Sequence, residues 1–222
     1  MILDLLRGGD IQDIIIGLCV SAFVVFCIIP IHEFAHALVA TKMGDNTAKN
    51  QGRLTIAPMA HINWIGALMI LLVGFGYAEP VPVNIINVKM KNKKLAMALI
   101  ALAGPVSNLL IAFISVAAMY FITLATFTSE NAIADAFVVF FNYNAIININ
   151  LAVFNFIPIP PLDGSRILFA ILPTKYYFQV MKYERYIVIG IFILLFTGVL
   201  SKPLSAISML ILKAMLGVFT GI

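Results

Sequence analysis

The residues Pro30-Ile31-His32-Glu33-Phe34-Ala35-His36 decide how the rest of the chain is read, because they place ionisable groups at the end of a long apolar run. On an α-helix, residues four apart lie about 40° apart around the axis and about 6 Å along it. His32 and His36 therefore share one face, at the spacing two imidazoles need to hold one metal ion. Glu33 is turned about 100° from His32, within reach of a water on such a metal. The H-E-x-x-H pattern reads as a zinc-hydrolase signature. Packing in lipid offers no other reason for it. Each ionisable group inside a bilayer needs compensation of about 2 to 3 kcal/mol if charged, and a cluster of them calls for a cation. Pro30 is predicted to kink the helix and free a backbone carbonyl, which helps admit polar groups.

The lipid setting follows from composition. The chain has 222 residues, 62% hydrophobic and 11% charged, with a mean hydropathy of +1.05, against about 25% charged residues in an ordinary soluble domain. Apolar runs of about 18 residues or more recur throughout, so residues 1–222 read as a single transmembrane domain with no soluble catalytic or binding domain beside it. The net charge of +4 comes from Lys and Arg between apolar segments. They are not interleaved with aromatics in one patch, which argues against a nucleic-acid partner. Cys19 and Cys27 lie too far apart along one helix to pair and read as small hydrophobes. Asp4, Arg7, Asp10 and Asp13 precede the first apolar stretch, and no small-residue cleavage site follows it, so it reads as a retained helix.

The zinc-motif helix is expected over residues 14–42, about 42 Å long and so longer than a hydrocarbon core of about 30 Å. The middle of the motif falls about 12 Å inside the interface marked by Lys42. Residues 43–50 read as a helix stop and turn, and Gly52-Arg53-Leu54-Thr55-Ile56-Ala57-Pro58 as a short extended piece. His61 is either a further ligand or a hydrogen-bonding loop histidine. The apolar stretch from Ile65 to Tyr77 is too short to span, so the region 52–77 is predicted to re-enter. Lys89, Lys91, Lys93 and Lys94 make the following loop cytoplasmic, and the loop with Glu130 and Asp135 suits the opposite side.

Core helices are expected over 95–126 and 136–172. The first is interrupted by Gly104-Pro105-Val106-Ser107-Asn108, which reads equally as close helix packing or as a substrate contact. The second breaks at Asn155-Phe156-Ile157-Pro158-Ile159-Pro160-Pro161-Leu162-Asp163-Gly164. Free backbone at membrane depth is tolerated only inside protein or around a polar cavity. Asp163 sits in that break, where a plain role would be to cap the helix beginning near Gly164. Two C-terminal helices complete residues 186–218. The expected fold class is an all-α polytopic membrane protein: a bundle of about five to six transmembrane helices with a re-entrant segment and a short membrane-embedded β element.

In this order, H-E-F-A-H, G-P-V-S-N and N-F-I-P-I-P-P-L-D-G resemble the site-2 protease family of intramembrane zinc metalloproteases. The match runs from about Ile14 to Leu172, and the third motif reproduces the family's N-x-x-P-x-x-x-L-D-G spacing in full. The resemblance implies that His32, His36 and Asp163 bind one Zn2+ per chain, that Glu33 acts as general base and acid, and that Asn155 supports the site or the substrate carbonyl. It also implies a partner: the transmembrane segment of a membrane-protein substrate, cut within the bilayer, usually after a first cleavage outside it. Many relatives carry a PDZ insertion or CBS repeats. This chain shows neither and resembles a minimal core version.

Topology is consistent with that set. If the helix from Ala136 runs inward to the loop at Lys175, Asp163 lies toward the cytoplasm. The histidines reach the same depth if the first helix also runs inward and residues 65–77 re-enter. The chain then reads as a multi-pass protein of the cell membrane with its active site toward the cytoplasmic side. Two function classes stay open: an intramembrane zinc endopeptidase acting in regulated proteolysis, and a non-proteolytic metal transporter or zinc sensor. A transporter would spread polar residues over several helices, whereas here they cluster at two points.

Overall fold

The computed structural model describes residues 11–73, 79–127 and 131–221. Asp4, Arg7, Asp10, Glu130 and residues 74–77 of the expected re-entrant stretch lie outside these described residues.

Helix α1 (Ile11–Phe23) passes through a π-helical turn (Val24–Ile28) into α2 (Ile29–Lys42). Pro30 explains the turn. Its ring crowds the carbonyl four residues back and it has no N–H to give. The Ile29 N–H bonds to Val24 O, five residues back, so the ladder slips by one residue just ahead of the proline. The predicted kink is thus taken up as a π turn, and the helix continues to deliver His32 and His36.

Beyond α2 come α3 (Thr47–Asn50), a 3-10 turn (Pro58–Ala60), α4 (Trp64–Val73), α5 (Lys93–Ala125) and α6 (Ala132–Asn155). They are followed by α7 (Asp163–Ile171), α8 (Thr174–Met181), α9 (Glu184–Phe196) and α10 (Ser201–Thr220). Among the described residues, 4 stretches are long and apolar enough to cross a membrane: Gly17–Lys42, α5, α6 and α10. This is fewer than the five to six expected. With 13 residues, α9 extends about 20 Å, and α4 with 10 residues about 15 Å, both short of a hydrocarbon core.

The short β element is also corrected. No strand forms among the described residues, and residues 52–57 are turn, bend and irregular backbone. A strand needs a neighbour for its N–H and C=O groups. Here the stretch is instead closed on its own loop, with Thr55 O accepting from His61 Nε2 at 2.8 Å and Ala60 O accepting from Arg53 Nη1 at 2.5 Å.

The core lies where α5 and α6 pack with α10 and the first helix. Ala112, Val116, Ala145, Ile149, Val153 and Leu212 form one buried cluster. Val20, Val24 and Ile28 form another, against Ile111, Phe140, Ile147 and Leu151. A buried polar bond joins α5 to α6, Asn144 Nδ2 donating to Ser115 Oγ at 2.7 Å, and Asn148 Nδ2 steadies Asn144 from within α6 by donating to its Oδ1 at 3.0 Å. Such bonds hold helices together where lipid supplies no hydrophobic drive. The outer faces leave Leu110, Ile114, Phe121, Leu124, Phe137 and Leu210 exposed, as hydrocarbon-facing surfaces require and water-facing ones avoid.

Candidate metal centre

The α2 helix brings both imidazoles to one face, and α7 brings a carboxylate to meet them. His32 Nε2 and His36 Nε2 are 3.1 Å apart, and Asp163 Oδ2 lies 3.3 Å from the first and 3.2 Å from the second. These three are the candidate metal-holding group found among the described residues. Four ligands at about 2.0 to 2.1 Å around a tetrahedral zinc are separated by about 3.3 Å, so the observed triangle is one face of such a site. Two imidazoles and one carboxylate leave the fourth position open, the pattern of a catalytic and not a structural centre.

The donor set fits a cation on a second ground. His36 Nδ1 lies 2.7 Å from Ile100 O, and a carbonyl can only accept, so Nδ1 carries the proton. In the neutral ring Nε2 is then a bare lone pair aimed at another imidazole nitrogen and a carboxylate oxygen. A cation placed among these three atoms would be held by all of them. The Ile100 carbonyl fixes the ring's orientation as an outer partner of a metal ligand does.

Close helix approach makes the triangle possible. A Cβ on Gly104 would lie 2.5 Å from His32 Cε1 and Nε2, and nearer still to His36 Nε2, so α5 can cross over the imidazoles only as glycine. That gives Gly104 of the G-P-V-S-N stretch a packing role against the site. A Cβ on Gly164 would lie 2.5 Å from Ile157 O, which ties the start of α7 to the chain leaving α6. At the far end of α7, Lys94 Nζ donates to Leu172 O at 2.6 Å. Asp163 is the first residue of α7, and the N-cap position is Leu162, with no side-chain cap bond. The carboxylate is therefore turned to the histidines and does not cap the helix.

Glu33 is half-buried and outside the three-atom group; its Oε2 accepts from Val81 N–H at 3.0 Å. Asn155 ends α6, and its Nδ2 donates to Leu151 O at 3.0 Å, back along its own helix. His61 is fully buried and donates Nε2–H to Thr55 O, so it is a loop lock and not part of the group. One contribution has no counterpart in the sequence reading, and one sharpens it. The Ile100 carbonyl has no sequence signal, being a backbone atom of an apolar helix. Gly104 bears out the close-packing reading of the Gly-Pro stretch and adds that the imidazoles are what it packs against.

Two histidines one helical turn apart, a carboxylate from a broken helix and a neighbouring glutamate, all held among membrane-length apolar helices, define a zinc metallopeptidase of the membrane. Known proteins agree. Residues 121–197 match the model of peptidase family M50. The chain is 41% identical over 155 residues to "Putative zinc metalloprotease YwhC" of Bacillus subtilis, covering 70% of each. Two proteins named "Putative zinc metalloprotease Rip2" are more distant. That of Mycolicibacterium smegmatis is 27% identical over 142 residues and that of Mycobacterium tuberculosis 30% over 137; each match covers 60% of this chain and 50% of the relative. No solved structure matches significantly. The chain belongs to peptidase family M50, the site-2 protease family. Membership decides between the two function classes left open above, in favour of the peptidase.

Proposed function

We propose that this protein hydrolyses a peptide bond within or near a transmembrane helix of a membrane-protein substrate, as a step of regulated intramembrane proteolysis. The observation that carries the reading is the triangle of His32, His36 and Asp163 set among apolar helices with Glu33 beside it. His32 and His36 supply Nε2 and Asp163 supplies Oδ2 to one zinc per chain. When bound, zinc lowers the pKa of a water from about 15.7 toward 7 and polarises the scissile carbonyl. Glu33 takes the proton from the attacking water as its oxygen bonds to the carbonyl carbon. The same carboxyl returns that proton to the amine nitrogen as the C–N bond breaks. Asn155 supports the site from the end of α6, and Gly104 leaves room for the imidazoles.

The site faces the cytoplasm in this reading, with α4 and its flanks re-entrant and the whole chain one membrane domain. A transmembrane peptide bond is hydrogen-bonded within its helix, so the substrate unwinds locally before it is cut. An unwound segment pairing along residues 52–57 would supply the strand partner that stretch lacks.

The test is zinc content and cleavage of a model transmembrane peptide by wild type and Glu33→Gln. Both should hold about one zinc per chain, and the variant should lose at least about 100-fold in rate, the usual worth of a positioned acid and base. A zinc-loaded Glu33→Gln that cleaves at the wild-type rate removes Glu33 from its role. A wild type that cuts soluble peptides and no membrane segment overturns the substrate class.

A further inference from the structure

Between the re-entrant region and α5, residues 79–92 form a strap laid along α2. Its sequence makes it stiff where it passes the site. Pro80 and Pro82 fix their own φ and carry no N–H, and Pro82 holds Val81 in extended backbone. Val81 therefore has the one backbone donor of that tripeptide, and it is spent on Glu33 Oε2 at 3.0 Å. The Val81 side chain is buried against Ala37 and Ala48.

The strap is pinned on both sides of this contact. On one side, Glu79 N–H donates to His61 O at 3.0 Å and the Glu79 carboxylate meets Arg53 Nη2 at 2.5 Å. On the other stands Asp45, whose side chain is fully buried. Its Oδ2 accepts from Asn84 N–H at 2.6 Å. Its Oδ1 accepts from the Thr47 N–H at 3.0 Å, the Thr47 hydroxyl at 2.5 Å and Asn87 Nδ2 at 3.3 Å. Burial alone would raise this carboxyl, but those donors from Thr47, Asn84 and Asn87 outweigh it and hold it below the ordinary carboxylate range. A buried ion this fully bonded anchors the strap three residues from the Glu33 contact.

We infer that Asp45 is a positioning residue for the peptidase reaction: it anchors the strap whose Val81 N–H orients the Glu33 carboxylate toward proton transfer at its other oxygen. This rests on the reading of Glu33 as base and acid. Binding Oε2 leaves Oε1 for the proton, and misplacing a reacting group by about 1 Å can cost about 100-fold. Val81→Pro tests the contact directly, since it deletes the N–H from backbone already extended. Asp45→Asn tests the anchor, because its amide sets a donor against the N–H of Asn84 or of Thr47.

Cleavage of the model transmembrane peptide is measured for zinc-loaded wild type, Val81→Pro, Val81→Ala, Asp45→Asn and the Val81→Pro/Asp45→Asn pair, together with hydrogen exchange of residues 79–84 in the metal-free proteins. Val81→Pro should lower kcat about 10-fold to 100-fold with KM within about two-fold and zinc retained. Val81→Ala, which keeps the N–H, should stay well above Val81→Pro. Asp45→Asn should speed exchange across 79–84 and lower kcat, and the pair should be no slower than Val81→Pro alone, because both act through one contact. Multiplying losses in the pair, equal losses in Val81→Ala and Val81→Pro, or a fully active Val81→Pro would overturn the inference. An active zinc-loaded Glu33→Gln would instead remove the reading beneath it.

Discussion

At the scale of single residues, Asp163 carries the sharpest distinction. It opens α7, a position where a carboxylate is favoured by the helix dipole and commonly caps. Its oxygen instead lies 3.3 Å from His32 Nε2 and 3.2 Å from His36 Nε2. A capping aspartate replaced by alanine loses about 1 kcal/mol and keeps its metal. A ligand replaced by alanine leaves two imidazoles, too few to hold a catalytic zinc tightly. Asp163→Ala should therefore fold and lose most of its zinc after dialysis, read as metal per chain against wild type. Retention of a full zinc complement would return Asp163 to a structural role and require another third ligand. His61 does not fill it, since its Nε2–H is given to Thr55 O.

At the scale of elements, the site depends on how closely α5 crosses α2. Gly104→Ala would place a methyl carbon 2.5 Å from His32 Cε1, below any real carbon contact, and the obstacle is a pair of imidazole rings and not a flexible chain end. Either the rings turn out of the triangle or α5 backs away, and overpacking of this kind costs about 1 to 3 kcal/mol. The expected result is a modest loss of thermal stability with zinc affinity lowered at least about 10-fold. Unchanged affinity would mean the helices shift without disturbing the ligands.

The same elements show what the sequence made legible. The period of His32 and His36, and the prolines that break the chain before Asp163, are local signals, and both point to groups that meet. The π turn at Val24–Ile28 was visible only as Pro30. Residues 52–57 looked extended, but a strand is a property of two segments, and no second one lies beside them among the described residues. The two C-terminal helices expected over 186–218 both form, but of the two only α10 is long enough to cross a membrane, since α9 stops at Phe196 after 13 residues. The Val81 contact to Glu33 joins residues far apart in sequence through a backbone atom, which no side-chain pattern can announce.

At the scale of the whole molecule, the position of the site along α5 gives a prediction for orientation in the membrane. That helix runs from Lys93 to Ala125, 33 residues, and Gly104, beside the imidazoles, lies about 16 Å from its basic end and much further from the other. Lys89, Lys91, Lys93 and Lys94 cluster at the near end, and cytoplasmic loops carry such an excess. The end of α6 and the start of α7 lie on that side too, because Asp163 meets the histidines there. Whichever face of the membrane reaches Lys91 is therefore the face nearest the site. Lys91→Cys and Phe127→Cys, at exposed positions on opposite ends of α5, distinguish the two orientations by labelling with a membrane-impermeant maleimide. Native Cys19 and Cys27 lie within the first membrane-length stretch, where a thiol away from water reacts poorly, so they give little background. With the site toward the cytoplasm, Phe127→Cys labels in intact cells and Lys91→Cys only after the membrane is opened. The reverse pattern would put the metal triangle near the outer face, and the substrate bond would then be cut on the opposite side of the bilayer.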